Sequence, residues 1–434
     1  MKLKAALAAS LLALAAPAGA ETVSYAPGLP MQRHVLKNGL TVLLLPLKTS
    51  PVTTYHTWVK AGSRDEKPGI TGIAHLFEHM MFRPVHPDAK SYFDQASALG
   101  MRYNASTRFN ATDYWSTFTP ASLPKVVAIE SDRIEHLHVT KEMLDVEREA
   151  VRSEYSTKLD AVPTIDLWFQ IYRLAFPGHP YGWHIVGVRE DLDRITAEDC
   201  NRFFEANYAP NNAMIAVAGP IDPAATLKLI DKAYGGWHTA SNKQAWANPA
   251  KPGTTPLAGK GKLPAPTKYI LVGYRTPERT QADRLAQDLT HYMLFNESTS
   301  LVGKRLRDET HIASESDAFN TFYDIALSKL LVVPNPGITP ERVVTEVQGA
   351  IDGFKQLPAV DFEAQKRAYA TYLRESQLTS YSMTNALGLA WAYDGNYQDA
   401  FRDPADVLKI PRAQIQHIID TTYAPTNRVM VVTP

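Results

Sequence analysis

Two hydrophobic periods run through this chain, one of two residues and one near 3.6, and they divide it into short strands and longer helices. Residues 33–46 read as strand, turn and strand, with Asn38 and Gly39 at the turn, a dipeptide suited to a tight hairpin. Residues 52–60 alternate as a third strand. Gly72 and Pro84 bracket a stretch whose apolar spacing is helical, and 91–99 predicts another short helix. Strand character returns over 101–106 and 112–119. Helical periodicity carries 124–137, 140–159 and 163–175, the second starting at Thr140 without a full capping box. Glycine and proline mark 176–182 as a loop. Thr196 with Asp199 caps a helix to 208, 212–218 is a strand, and 223–234 is a helix. The first half therefore mixes a mainly antiparallel sheet with helices.

Residues 236–266 have little periodicity and contain Pro249, Pro252, Pro256, Pro264 and Pro266, which predicts an interdomain linker. Beyond it the pattern repeats. Tyr208-Ala-Pro-Asn-Asn212 is echoed 215 residues later by Tyr423-Ala-Pro-Thr-Asn427, each after an amphipathic helix and before an apolar strand. Ile195 and Ile410 fall at matching offsets. Residues 75–82 align with 288–295, which keep the apolar positions but lack both histidines and the glutamate. Two tandem homologous domains, 21–235 and 267–434, are expected, each large enough for its own core.

Composition narrows the class. The 434 residues are 45% hydrophobic and 21% charged, and Lys+Arg and Asp+Glu are both 45, so net charge argues for neither a nucleic-acid nor an anionic-membrane partner. Residues 1–20 read as a signal peptide: Lys2 and Lys4, an apolar run, then Ala18-Gly19-Ala20 at a cleavage site after Ala20. No other run is long and apolar enough to span a bilayer. A lone Cys200 excludes an intramolecular disulfide, and an exported chain without one suits a bacterial periplasm.

Candidate chemistry sits at 72–83. His75 and His79 are four apart and share a helix face with Glu78, so two imidazoles and a carboxylate converge. One divalent ion can bridge such a pair, and a neighbouring carboxylate can take a proton from water. The plain alternative is a half-buried helix with histidines in register. A third ligand must come from elsewhere, and Glu142, Glu147, Glu149 and Glu154 are candidates. Glu147 and Glu154 share a face with Val151, although Glu147, Arg148, Arg152 and Lys158 also suit exposed ion pairs. His136, His138, His179 and His184 belong to no motif and are read as structural or solvated. Cys200, opposite Ile415 in the repeat, is read as buried and inert.

His75-Leu-Phe-Glu-His79 followed by Glu147-Arg-Glu-Ala-Val-Arg-Ser-Glu154 resembles the inverted zinc motif of the pitrilysin family of metallopeptidases, the inverzincins. The likeness extends through Asn104-Ala105, Thr107, Tyr114, Pro177-Gly-His-Pro-Tyr181 and Tyr208-Ala-Pro210. It is strongest over 32–219, and most similar to the short, two-chain members typified by the mitochondrial processing peptidase. The resemblance implies an α+β fold of two tandem domains, each an antiparallel sheet with helices on one face. It implies one Zn²⁺ per chain on His75, His79 and Glu154, Glu78 as general base, and Glu147 orienting a ligand histidine. Asn104 and Ala105 would offer a sheet edge to an extended peptide. Active single-chain relatives carry an Arg and, seven residues later, a Tyr in the C-terminal domain; this chain has Arg307 but Ser314. A heterodimer is therefore expected, in which a second homologous chain supplies the Arg and Tyr contacts. The expected function is a zinc endopeptidase; the alternative is a non-catalytic peptide-holding chaperone or scaffold. A His₂Glu site also accepts Mn²⁺ or Co²⁺.

Overall fold

The computed structural model describes residues 21–26, 29–85, 89–237, 253–276, 281–296, 299–317, 327–375, 377–400 and 404–434. The expected signal peptide and residues 238–252 of the expected linker lie outside the described residues.

Seven strands form the first sheet: β1 (Glu21–Ala26), β2 (Leu29–Val35), β3 (Thr41–Pro46), β4 (Thr53–Val59), β5 (Arg102–Thr107), β6 (Thr112–Phe118) and β7 (Ala213–Gly219). Their order is β1-β2-β3-β7-β4-β6-β5, antiparallel except for β3 against β7. β4 and β7 are buried along their whole length because both sheet faces are covered, while β5 is an edge. The helices of this half are α1 (Ile73–Met80), α2 (Tyr92–Ala98), α3 (Leu123–His136), α4 (Lys141–Glu154), α5 (Pro163–Ala175), α6 (Arg189–Leu192), α7 (Ala197–Asn207) and α8 (Pro223–Tyr234). Phe77 of α1, Val127 of α3, Val151 of α4, Phe203 of α7 and Ile230 of α8 bury their side chains with Val42, Tyr55 and Tyr114 on one face of the sheet.

The second sheet holds β8 (Leu257–Lys260), β9 (Ile270–Arg275), β10 (Ala313–Asp317), β11 (Leu327–Pro334) and β12 (Arg428–Val432), in the order β10-β11-β9-β12-β8. Its helices are α9 (Gln281–Phe295), α10 (Leu301–Lys304), α11 (Pro340–Asp352), α12 (Ala359–Glu375), α13 (Ser380–Asp394), α14 (Pro404–Val407) and α15 (Arg412–Thr422). This sheet repeats β5-β6-β4-β7-β3 strand for strand, including the single parallel pair, now β8 with β12. Hydrogen bonds repeat as well. The Asn212 amide donates to the carbonyls of Lys60 and Asn207, and the Asn427 amide to those of Arg275 and Thr422, each position shifted by 215. The fold is α+β with two tandem domains.

The expected linker needs correction. Leu257–Lys260, within 236–266, is a strand of the second sheet, equivalent to β3. It escapes pattern reading because it is a four-residue, half-exposed edge with a glycine and no apolar run.

The outer face of each sheet is covered by a helix from the other half. α13 lays Leu387, Leu389 and Trp391 over Leu43, Trp58 and Met214 of the first sheet. α5 lays Leu167 and Ile171 over Leu271, Leu327 and Val429 of the second. Each sheet thus has its own helices on one face and an exchanged helix on the other.

Candidate metal centre

α1 starts on Gly72, whose φ is +90°, and a Cβ there would run into the Val186 carbonyl, so only glycine suits the position. Its first turn is held by the buried Glu66 carboxylate, which accepts from Gly72 N at 2.9 Å and Ala74 N at 3.0 Å. These are the donors a helix start leaves without partners, and a negative charge beside them is favourable. Leu76, Phe77 and Met80 enter the core, with Phe77 against Phe204 and Tyr208. The period of the helix then turns His75, Glu78 and His79 to the opposite side.

α4 packs alongside, burying Leu144 and Val151 and bringing Glu147 and Glu154 to α1. Glu154 Oε2 lies 3.6 Å from His75 Nε2 and 3.6 Å from His79 Nε2, and the three donor atoms lie within 4.8 Å of one another. Three ligands, each about 2.1 Å from one tetrahedral ion, stand about 3.4 Å apart, so the geometry and the N, N, O donor set fit zinc. Among the described residues this is the one such cluster. In the repeat, α9 puts His291 at the position of Glu78, and its Nδ1 is 2.7 Å from Ser328 Oγ.

A second layer orients these donors. His79 Nδ1 is 3.0 Å from Glu147 Oε2, and the Arg83 guanidinium holds the other Glu147 oxygen. Burial would raise the Glu147 carboxyl, but His79 and Arg83 outweigh it and lower it. Burial alone would lower His79, yet its hydrogen bond to Glu147, the adjacent Glu154 and the charge of Glu78 raise it to about 9. The neighbouring His79, helped by the Lys158 ammonium at 2.5 Å, lowers Glu154 to about 2. Burial and the neighbouring His79 lower His75 to about 4. Lys158 forms the expected exposed ion pair, and its partner is Glu154.

Glu78 accepts from Thr107 Oγ1 at 2.6 Å, and burial pushes its carboxyl up to about 7. It faces a cleft of about 620 Å³ lined by His75, His79, Asn104, Ala105 and Glu154, with Trp168 and Phe169 of α5 opposite. Asn104 and Ala105 belong to the edge strand β5. Arg307 does not line this cleft; it lies in a π-helical turn, Arg305–Glu309. Ser314 is on β10 and donates to the Val333 carbonyl at 3.3 Å. His136 pairs with Asp132 on the surface, His138 is exposed, and His179 Nδ1 accepts from Tyr181 N, so these three are structural or solvated. Cys200 is buried, its thiol pushed up to about 12 by that burial. His184 lines the cleft, and its Nδ1 accepts from Val186 N at 2.8 Å, the same kind of loop bond that His179 makes. Its isolated position in a loop carries no periodic signal.

Fold and site together define a duplicated α+β protein with one candidate divalent-metal centre. A family model described as insulinase (peptidase family M16) matches residues 41–175, and one described as peptidase M16 inactive domain matches 194–369. The chain belongs to peptidase family M16. It is 26% identical over 345 residues to "Zinc protease PqqE" of Helicobacter pylori, covering 78% of each chain. It is 27% identical over 201 residues to a probable mitochondrial-processing peptidase subunit beta of Schizosaccharomyces pombe, covering 46% of this chain and 44% of that one. The crystal structure of a protease from Helicobacter pylori superposes with a TM-score of 0.81 at 23% identity, covering 96% of this chain and 100% of that one. Among the described residues no helix is long and apolar enough to cross a membrane.

Proposed function

We propose that this chain is a zinc-dependent endopeptidase acting on peptides or unfolded segments in the cleft. The observation that carries the reading is the convergence of His75, His79 and Glu154 on one point, with Glu78 beside them. His75, His79 and Glu154 would hold one Zn²⁺, and Glu147 would keep the His79 ring in its ligating orientation. When bound, the ion supplies positive charge that acidifies a water molecule and polarises a carbonyl. Glu78 takes the proton of the attacking water and returns it to the leaving amine nitrogen. A carboxyl with a pKa near 7 suits both steps at neutral pH. β5 aligns the peptide backbone as an added strand, with Asn104 and Ala105 facing it. This pairs main chain with main chain and demands little of sequence.

Export to the periplasm or beyond is part of the proposal and rests on the leader at 1–20. So is a heterodimer: Arg307 is away from the cleft and Ser314 is too short to replace a phenol, which supports a partner chain as the source of the Arg and Tyr contacts. The converging ligand set, with the Glu78 carboxyl beside it in the cleft, favours catalysis over a peptide-holding scaffold.

The test compares wild type with Glu78→Gln for bound metal and for cleavage of a quenched peptide. Zinc near one per chain in both, with hydrolysis falling at least about hundredfold in the variant, is expected. Equal hydrolysis in the two proteins would remove Glu78 as the base. Zinc-free protein that cleaves at full rate would remove the metal.

A further inference from the structure

Thr107 reaches Glu78 from outside the helix that carries it. It ends the edge strand β5, where Tyr103, Ala105 and Thr107 alternate onto the face covered by α1; Tyr103 meets the Phe82 ring and Ala105 is buried in the core. The Thr107 hydroxyl donates to Glu78 Oε2 at 2.6 Å, and the backbone N–H of the same residue acts on the same carboxylate. Glu78 is half-buried and lines the cleft.

The strand end is itself fixed. Thr107 pairs with Thr112 of β6, whose hydroxyl donates to the Ala61 carbonyl at 2.8 Å. Arg108 N donates to the Ala111 carbonyl at 2.8 Å, the Arg108 carbonyl accepts from Ser63 N at 3.0 Å, and the Phe109 carbonyl accepts from Arg64 N at 2.9 Å. Gly62 packs so closely on this turn that a Cβ would collide with the Arg108 carbonyl. Segment 61–66 leads on to Glu66, whose carboxylate holds Gly72 N and Ala74 N at the start of α1. One frame therefore grips α1 at its first turn and again at Glu78. A glutamate side chain is otherwise free to rotate, and an outside donor fixed on one oxygen removes much of that freedom before any substrate arrives.

We propose that Thr107 is a positioning residue for hydrolysis, whose hydroxyl holds Glu78 by Oε2 so that the base stands in a fixed relation to a peptide paired on the same strand. Its role rests on the peptidase reading, in which Asn104 and Ala105 of β5 receive the peptide backbone. Base and peptide then take their places from one strand, and their separation is set before binding. With Oε2 engaged by the hydroxyl, Oε1 is the oxygen that takes the water proton and returns it to the leaving amine nitrogen. Thr107 neither gains nor loses a proton. The plain structural role, a strand-end hydroxyl that satisfies a half-buried carboxylate, would affect stability and leave kcat alone.

Two variants separate these roles. Thr107→Val keeps the branched shape and removes the donor, whereas Thr107→Ser keeps the donor and removes a methyl. Zinc-loaded full-length proteins, alone and with the purified homologous chain added, are compared for melting temperature, zinc content, kcat and KM on a quenched peptide, in the wild-type and Glu78→Gln backgrounds. Thr107→Val should lower kcat by about tenfold to hundredfold with KM within about twofold and zinc content unchanged, and Thr107→Ser should recover most of that loss. In the Glu78→Gln background the same Thr107→Val change should alter the residual rate by less than about twofold, because the base it orients is already gone. Unchanged kcat in Thr107→Val, with Glu78→Gln inactive, would overturn the positioning role and leave the peptidase reading standing. Equal losses in Thr107→Ser and Thr107→Val, or the same fold-loss in both backgrounds, would overturn it too, since the residue would then serve the strand alone. Equal hydrolysis by wild type and Glu78→Gln would instead remove the base, and the positioning role with it.

Discussion

Glu147 shows how much a single side chain's meaning depends on its neighbours. Spacing left it either an exposed ion pair or part of a site; in the fold it is buried between His79 and Arg83. Its carboxylate can fix the His79 ring with Nε2 free for metal, which is the orientation a ligand histidine requires. Glu147→Ala should therefore weaken zinc binding by about tenfold to hundredfold, measured by competition with a chelating dye, while leaving the three donors in place. Unaltered affinity would reduce Glu147 to a partner of Arg83. The local spacing of His75, Glu78 and His79 was legible because four residues make one helical turn. The bond from Thr107 to Glu78 was not, since it joins a strand end to α1 only after folding.

Most elements could be read from periodicity because each has a buried and an exposed side. β4, β7, α3, α5 and α8 lie within a residue or two of their expected ranges. β8 could not be read, and neither could the destination of α13. The hydrophobic residues of α13 are spread around the helix, as suits one wedged between a sheet and the rest of its own half. There, Thr384 Oγ1 lies 3.2 Å from the buried His56 Nδ1, Ser380 Oγ lies 2.8 Å from Thr54 Oγ1, and the Lys60 ammonium sits over the Trp391 ring. Gly388 lies directly on the Trp58 indole, where a Cβ would overlap the ring. Gly388→Ala should consequently cost about 1–3 kcal/mol through overpacking, read as a lower denaturation midpoint. If the midpoint is unchanged, the indole can move and the contact is looser than it looks.

At the scale of the molecule, the exchange of α5 and α13 ties the metal cleft to the second half. Trp168 and Phe169, which line the cleft, belong to the helix that docks on the second sheet, and the buried Lys329 of β11 lies over Trp168 and donates to the Tyr172 hydroxyl at 3.2 Å. A domain with no metal-donor cluster among its described residues thus shapes the wall of the site. The proposed partner chain is tested by adding the purified homologous protein to this one and following peptide cleavage. A rise of about 10²–10³ in kcat/KM is expected if a missing donor is supplied. Full activity from a demonstrated monomer would end the heterodimer proposal. The sequence by itself determined the α+β class, the duplication, and the pairing of two histidines with a glutamate, because these follow from short-range periods and a long identical offset. Spacing left the third donor open and the family resemblance implied Glu154; the tertiary structure brings that glutamate to those histidines, and it alone decided which strand begins the second sheet and which half covers which face. Those choices depend on packing between residues far apart in the chain, and no local period records them.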